Sequence, residues 1–150
     1  ISFKPSLTPN VWLSAHPDRE EEYGLDLVKE IAPDVPEVTF HVFGVHKEWE
    51  NIPNVKFYGH IPNVLFNEMI TRYQAGLRLN EMDGASEVMM KSLLMGQWPI
   101  TRIRFPLVRS FDNKRELINL LKNLSYKTEA NRTARHYYLE KIKERPYEHN

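Results

Sequence analysis

Short apolar and β-branched runs alternate with helix-like segments along most of this chain, and turn residues punctuate the joins. That alternation restricts the fold more than any other property. Parallel strands need long crossover connections, usually helical, so the pattern predicts a parallel sheet with helices on both faces. Strands are expected at Val11 to Ser14, Val38 to Phe43, Val55 to Tyr58, Ala75 to Leu79 and Pro99 to Thr101. Gly44 and Gly59 close the second and third. Helices are expected from Arg19 to Ala32, from Val64 to Tyr73, from Ser86 to Gly96, from about Lys114 to Leu121 under an Asp112 cap, and from Thr128 to about Glu144. The stretch from Arg102 to Asn113 reads as a long loop. Sheets of this kind take ligands at the carboxyl ends of their strands.

At 150 residues the chain is read as a single domain, 1–150. Lysine plus arginine equals aspartate plus glutamate at 20 each, which argues against a general polyanion binder but not against a small phosphorylated ligand. Cysteine is absent, so thiolate chemistry and cysteine-based zinc sites are excluded. His16, His46 and His60 fall in loops at strand ends without metal-ligand spacing, and each is read as a loop or capping histidine. A metal-independent site is expected. No apolar run approaches the roughly twenty residues of a membrane span.

The candidate site begins at Arg78-Leu79-Asn80-Glu81-Met82-Asp83-Gly84-Ala85-Ser86 and continues into Glu87-Val88-Met89-Met90-Lys91. A buried strand runs into a small-residue loop and then straight into a helix. Backbone N–H groups and the positive helix end there suit a phosphate or another anion. An ordinary helix cap at Asp83 or Ser86 is the plainer alternative. Met89 with Leu93, and Met90 with Leu94, are spaced for core packing. Glu87 and Lys91 form an acid-first i,i+4 pair worth about 0.2–0.5 kcal/mol if exposed, so Lys91 is either a surface partner or part of the site.

Asp-Gly-Ala-Ser, the apolar helix after it, and Leu-Leu-Met-Gly-Gln-Trp-Pro-Ile resemble the donor-binding half of GT-B retaining glycosyltransferases of the glycosyltransferase family 4-like type. Val38 to Gly44 resembles that family's second strand. Pro53-Asn54-Val55-Lys56-Phe57-Tyr58-Gly59 resembles its Pro-Asn-Val-x-Phe-x-Gly segment. The match runs in order from Val11 to Thr101. It implies an α/β, Rossmann-like lobe, the C-terminal part of a longer two-lobed protein, and a role in polysaccharide or glycoconjugate biosynthesis. The donor would be a nucleoside-diphosphate sugar, with no separate cofactor, and the partner an N-terminal acceptor-binding lobe. The setting implied is cytoplasmic, with peripheral membrane contact of the full-length protein as an option.

By the same resemblance, the amides of Gly84, Ala85 and Ser86 would hold the donor, Asp83 would face its sugar, and Gly59, His60 and Ile61 would read the nucleobase through their backbone. Arg19 would belong to a basic pair that neutralises the leaving diphosphate. Two positions depart from the family pattern. Lys91 stands where a second acid accepts the ribose hydroxyls, and lysine has no acceptor. Either Glu81 or Glu87 takes that role, the donor is bound differently, or transfer activity has been lost. Tyr23 stands where the second cation belongs, and Lys91 is a candidate replacement from the other side. A non-catalytic glycosyltransferase-like binding or scaffolding module is the second reading. Trp12 and Trp98 are expected in or beside the core, and Trp49 exposed. The last helix, with Ala130, Ala134, Tyr138 and Ile142 in register, is expected to pack on the domain.

Overall fold

The structure is a computed structural model that describes residues 3–80 and 87–144. Six strands form one parallel sheet: β1 (Asn10–Ser14), β2 (Thr39–Phe43), β3 (Val55–Gly59), β4 (Ala75–Arg78), β5 (Ile100–Thr101) and β6 (Arg109–Ser110). Their spatial order is β3-β2-β1-β4-β5-β6. The chain therefore winds outward from β1 in one direction and, after β3, crosses back to wind outward from β4 in the other. This is the doubly wound Rossmann order, with its reversal point between β1 and β4. Among the described residues five α-helices accompany the sheet: α1 (Leu25–Ile31), α2 (Asn63–Ile70), α3 (Glu87–Leu94), α4 (Lys114–Asn123) and α5 (Arg132–Lys143).

Alternation along the strands sends successive side chains to opposite faces. Val11 and Leu13 of β1, Phe40 and Val42 of β2, and Leu77 of β4 join Leu25, Val28 and Ile31 of α1 and Leu117 and Leu121 of α4 in the main core. On the other face Trp12 and Phe43 pack with Ile70 and Phe66 of α2. There α3 and α5 meet through Met89, Leu93, Ala134 and Tyr138, the contact expected of the last helix.

α3 approaches β4 closely because Gly76 has no side chain; a Cβ there would lie 3.0 Å from Ser92 and from Val88. A buried polar knot fixes the contact. The Trp12 indole N–H donates to Gln97 Oε1 at 2.9 Å, the Ser92 hydroxyl donates to the same oxygen at 2.9 Å, and the Gly76 amide donates to Ser92 Oγ at 2.9 Å. The Gln97 amide also donates to the Ile70 carbonyl at the end of α2. Ser92, Gln97 and Trp12 are fully buried, so satisfying these groups internally is a condition of folding.

Several boundaries differ from expectation. The first helix begins at Leu25 rather than Arg19, because Gly24 adopts φ 84° and breaks any helix entering from Arg19. A side chain at Gly24 would also meet Leu79, with Cβ atoms 2.6 Å apart. α2 stops at Ile70 because the Tyr73 ring stacks on His41 at 4.2 Å and the Gln74 amide donates to the Asn10 carbonyl. Asn113, not Asp112, caps α4, accepting from the Glu116 amide at 2.9 Å; Asp112 pairs with Arg104 instead. Thr128 does not start α5. That helix begins after Asn131, which is buried and tied to Gly96 and Gln97. The expected loop from Arg102 to Asn113 contains β6, a two-residue strand with no apolar signal. Trp49 is half-buried rather than exposed. It meets Phe57 edge-to-face at 4.8 Å, with the Lys29 ammonium 5.5 Å from its ring centroid.

Candidate active site: a cleft at the β1–β4 reversal point

A cleft of about 370 Å³ opens at the carboxyl ends of β1 and β4. Trp12 and Ser14 of β1 and Leu77 and Arg78 of β4 contribute its sheet side, with Asn80 just beyond β4. Asn63 and Phe66 of α2 line one flank, and Glu87, Val88 and Lys91 of α3 another. Tyr23, in the turn before α1, completes the described wall. The cleft lies where the winding reverses, since the crossovers on the two sides of that point diverge and leave the strand ends uncovered.

Lys91 is the best-defined charged group here. Its Nζ donates to Asn67 Oδ1 at 3.1 Å, lies 3.4 Å from a Glu87 carboxylate oxygen, and sits 5.1 Å from the Phe66 ring centroid. The Glu87 carboxylate is 82% exposed, so solvent screens that pair and its contribution is small. Arg78 adds a second cation, and Glu87 is the only carboxylate among the described lining residues. The described part of the cleft is thus net positive.

The residues singled out from the sequence distribute unevenly. Glu87 and Lys91 both line the cleft. Glu81, Asp83, Gly84, Ala85 and Ser86 lie outside the described residues, although Asn80 and Glu87, on either side of that stretch, are both lining residues. Arg19 is exposed and does not line the cleft. Its guanidinium pairs with Glu22 at 2.7 Å and rests 5.6 Å from the Tyr23 ring centroid. The Glu22 carboxylate, by hydrogen bond and charge, raises the Arg19 pKa further above its ordinary value. Gly59, His60 and Ile61 stand at the carboxyl end of β3, two strands from β1, and are not part of the lining. Gly59 takes φ 67° and its amide donates to the Val45 carbonyl. His16 accepts from the Asp18 amide at 3.2 Å, a loop-capping role. Arg78 heads the candidate stretch read from the sequence but receives no role there; the available signal is a cation ending an otherwise apolar strand. Asn63, Phe66 and Asn67 carry no such signal, because they reach the site only through the crossover after β3.

Away from the cleft lies a buried histidine. His41 of β2 is 7% exposed, with Nε2 2.8 Å from Asn10 Oδ1 and Nδ1 2.7 Å from the Tyr58 hydroxyl. The Asn10 amide donates to Ser6 and Thr8, so its Oδ1 accepts. His41 is therefore the neutral Nε2–H tautomer, and Tyr58 donates to Nδ1. Burial, with Lys56 adding to it, lowers its pKa to about 4. Among the described residues no group of three or more histidine, aspartate or glutamate side chains could hold a metal ion.

No protein-family model matches the sequence, and no curated protein is similar to it in sequence. Solved structures do match. The apo-form glycosyltransferase GlyE of Streptococcus pneumoniae TIGR4 aligns with TM-score 0.56 and 14% identity over 81% of this chain and 34% of its own. WaaG, a glycosyltransferase involved in lipopolysaccharide biosynthesis, aligns with TM-score 0.62 and 17% identity over 87% of this chain and 42% of its own. The fold is that of a GT-B glycosyltransferase lobe. A UDP-GlcNAc 2-epimerase from Neisseria meningitidis, bound to UDP-GlcNAc, shares it at TM-score 0.52 and 13% identity over 91% of this chain and 44% of its own. The chain spans between a third and a half of the length of these three proteins. The described part of the lobe contains no helix long and apolar enough to cross a membrane.

Proposed function

We propose that this lobe holds the nucleoside-diphosphate sugar of a glycosyltransferase, with the diphosphate in the cleft between β1 and β4. One observation carries the reading: a cation-lined cleft of about 370 Å³ coincides with the reversal point of a GT-B-like sheet. Arg78 and Lys91 meet the charge that accumulates on the diphosphate as its bond to the anomeric carbon breaks and the acceptor oxygen bonds to that carbon. Lys91 supplies the charge that Tyr23 does not. Asp83 and the amides of Gly84, Ala85 and Ser86 complete the donor site, and the acceptor is held by a separate N-terminal lobe. No metal ion takes part. Peripheral membrane contact, where it exists, belongs to the full-length protein.

A second reading is a glycosyltransferase-like binding or scaffolding module without transfer activity. It is favoured by Arg19, which is engaged with Glu22 outside the cleft.

The test is thermal or chemical unfolding in the presence of a panel of nucleoside diphosphates and their sugars. A ligand at one hundred times its Kd adds about 2.7 kcal/mol of stability. Lys91→Glu is expected to weaken diphosphate binding at least tenfold, because it reverses a charge on the cleft wall. No response to any member of the panel overturns the donor-binding reading and leaves the scaffolding one. Binding without transfer by the full-length protein favours the second.

A further inference from the structure

We propose that Asn67 is a positioning residue, holding the Lys91 ammonium at the cleft through an uncharged acceptor and leaving its charge and remaining N–H donors to an entering phosphate. This rests on the cleft being an anion site, as proposed above. Asn67 belongs to α2 and Lys91 to α3, so the 3.1 Å bond between them joins the two helices that flank the cleft. The Lys91 side chain is 29% exposed, mostly covered, yet its charge is poorly matched. Its carboxylate neighbour Glu87 is solvent-screened, and its other partners are a neutral amide and the face of Phe66.

The neutrality of Asn67 is the functional point. An amide oxygen fixes one lysine rotamer without cancelling the charge. A carboxylate at the same place would neutralise the ammonium and compete with any arriving anion. The ammonium has three N–H donors, so a phosphate oxygen can accept from it while the Asn67 bond holds, and with both groups ionised that contact is stronger than one to a neutral amide. The quadrupole of Phe66 supports the cation in either state. A ligand without a phosphate leaves those donors to solvent. The device thus selects phosphorylated over neutral ligands at this wall, whatever base or sugar is attached. Asn67 is itself exposed, so replacing it does not disturb the core.

Inorganic pyrophosphate is the probe, titrated calorimetrically into the full chain at low and high salt. Asn67→Asp is expected to weaken binding about fivefold, the strength of one partly exposed ion pair. That difference should shrink at 0.5 M salt, as an electrostatic competitor requires. Asn67→Leu, which removes the acceptor without adding charge, is expected to weaken binding about threefold, the worth of one ordinary hydrogen bond. Lys91→Met serves as the reference for loss of the ammonium. Wild-type affinity in Asn67→Asp, with binding lost in Lys91→Met, overturns the role of Asn67 and leaves the cleft reading standing. A salt-independent loss in Asn67→Asp overturns it too, since a merely structural defect behaves that way. Absence of pyrophosphate binding by the wild-type chain removes the anion site and both proposals with it.

Discussion

Acid should destabilise this lobe through one residue, His41. In the folded state its pKa is lowered to about 4, first by burial and secondarily by Lys56, its register partner on β3. Tyr58 and Asn10 hold its two ring nitrogens and Tyr73 stacks on it; all three are uncharged at neutral pH. An unfolded histidine titrates near 6.5. Between those values the unfolded chain binds the extra proton and the folded chain does not, so stability falls as pH falls. The contribution is complete above about pH 6.5 and is progressively lost toward pH 4. Linkage over this window gives a loss of about 2.5 kcal/mol between pH 7.5 and pH 4.5. For a lobe of this size that corresponds to a fall in Tm of roughly 5–10 °C. The assay is urea unfolding at four pH values for the wild type and His41→Gln. The variant is expected to start less stable at pH 7.5 but to follow a profile flatter by about 2.5 kcal/mol down to pH 4.5. Parallel profiles, within about 0.5 kcal/mol, would falsify the assignment of His41 as a neutral buried base.

Gln97→Leu strands the Trp12 indole N–H and the Ile70 carbonyl in a dry interior, and should cost about 2–4 kcal/mol in urea unfolding; a loss below 0.5 kcal/mol would contradict the polar knot. Arg78→Met should weaken nucleoside-diphosphate binding about tenfold by calorimetry, and unchanged affinity would remove Arg78 from the site. On the proposed reading side-chain cations rather than a metal face the diphosphate, so EDTA should leave nucleotide affinity as it was. Loss of binding in EDTA, restored by magnesium or manganese, would reverse that expectation.

Much of the sheet was legible because its strands announce themselves. Val11 to Ser14 and Val38 to Phe43 are apolar or β-branched and end at turn residues, so their pairing as buried parallel strands follows from composition. β6 was not legible: Arg109 and Ser110 are polar and become a strand only because β5 offers a free edge. The start of α1 was misplaced because Arg19 to Tyr23 has helical composition, whereas Gly24 takes φ 84° and leaves no room for a side chain against Leu79. Glu87 and Lys91, which the family resemblance put forward, both line the cleft, whereas helix spacing alone gives only an i,i+4 pair. Phe66 and Asn67 were invisible, since contacts made 24 or so residues apart in sequence leave no local pattern.

The Gln97 amide reaches the indole of β1, the hydroxyl of α3 and the end of α2. Positions 12, 92 and 97 can therefore be exchanged only as a group. A library that varies any one of them alone will return mostly destabilised chains, while exposed positions of the cleft wall such as Asn63 and Glu87 stay open to substitution. Substitutions that probe the proposed site belong on Tyr23, Asn63 and Lys91 of the cleft wall, and on Asn67 beside Lys91.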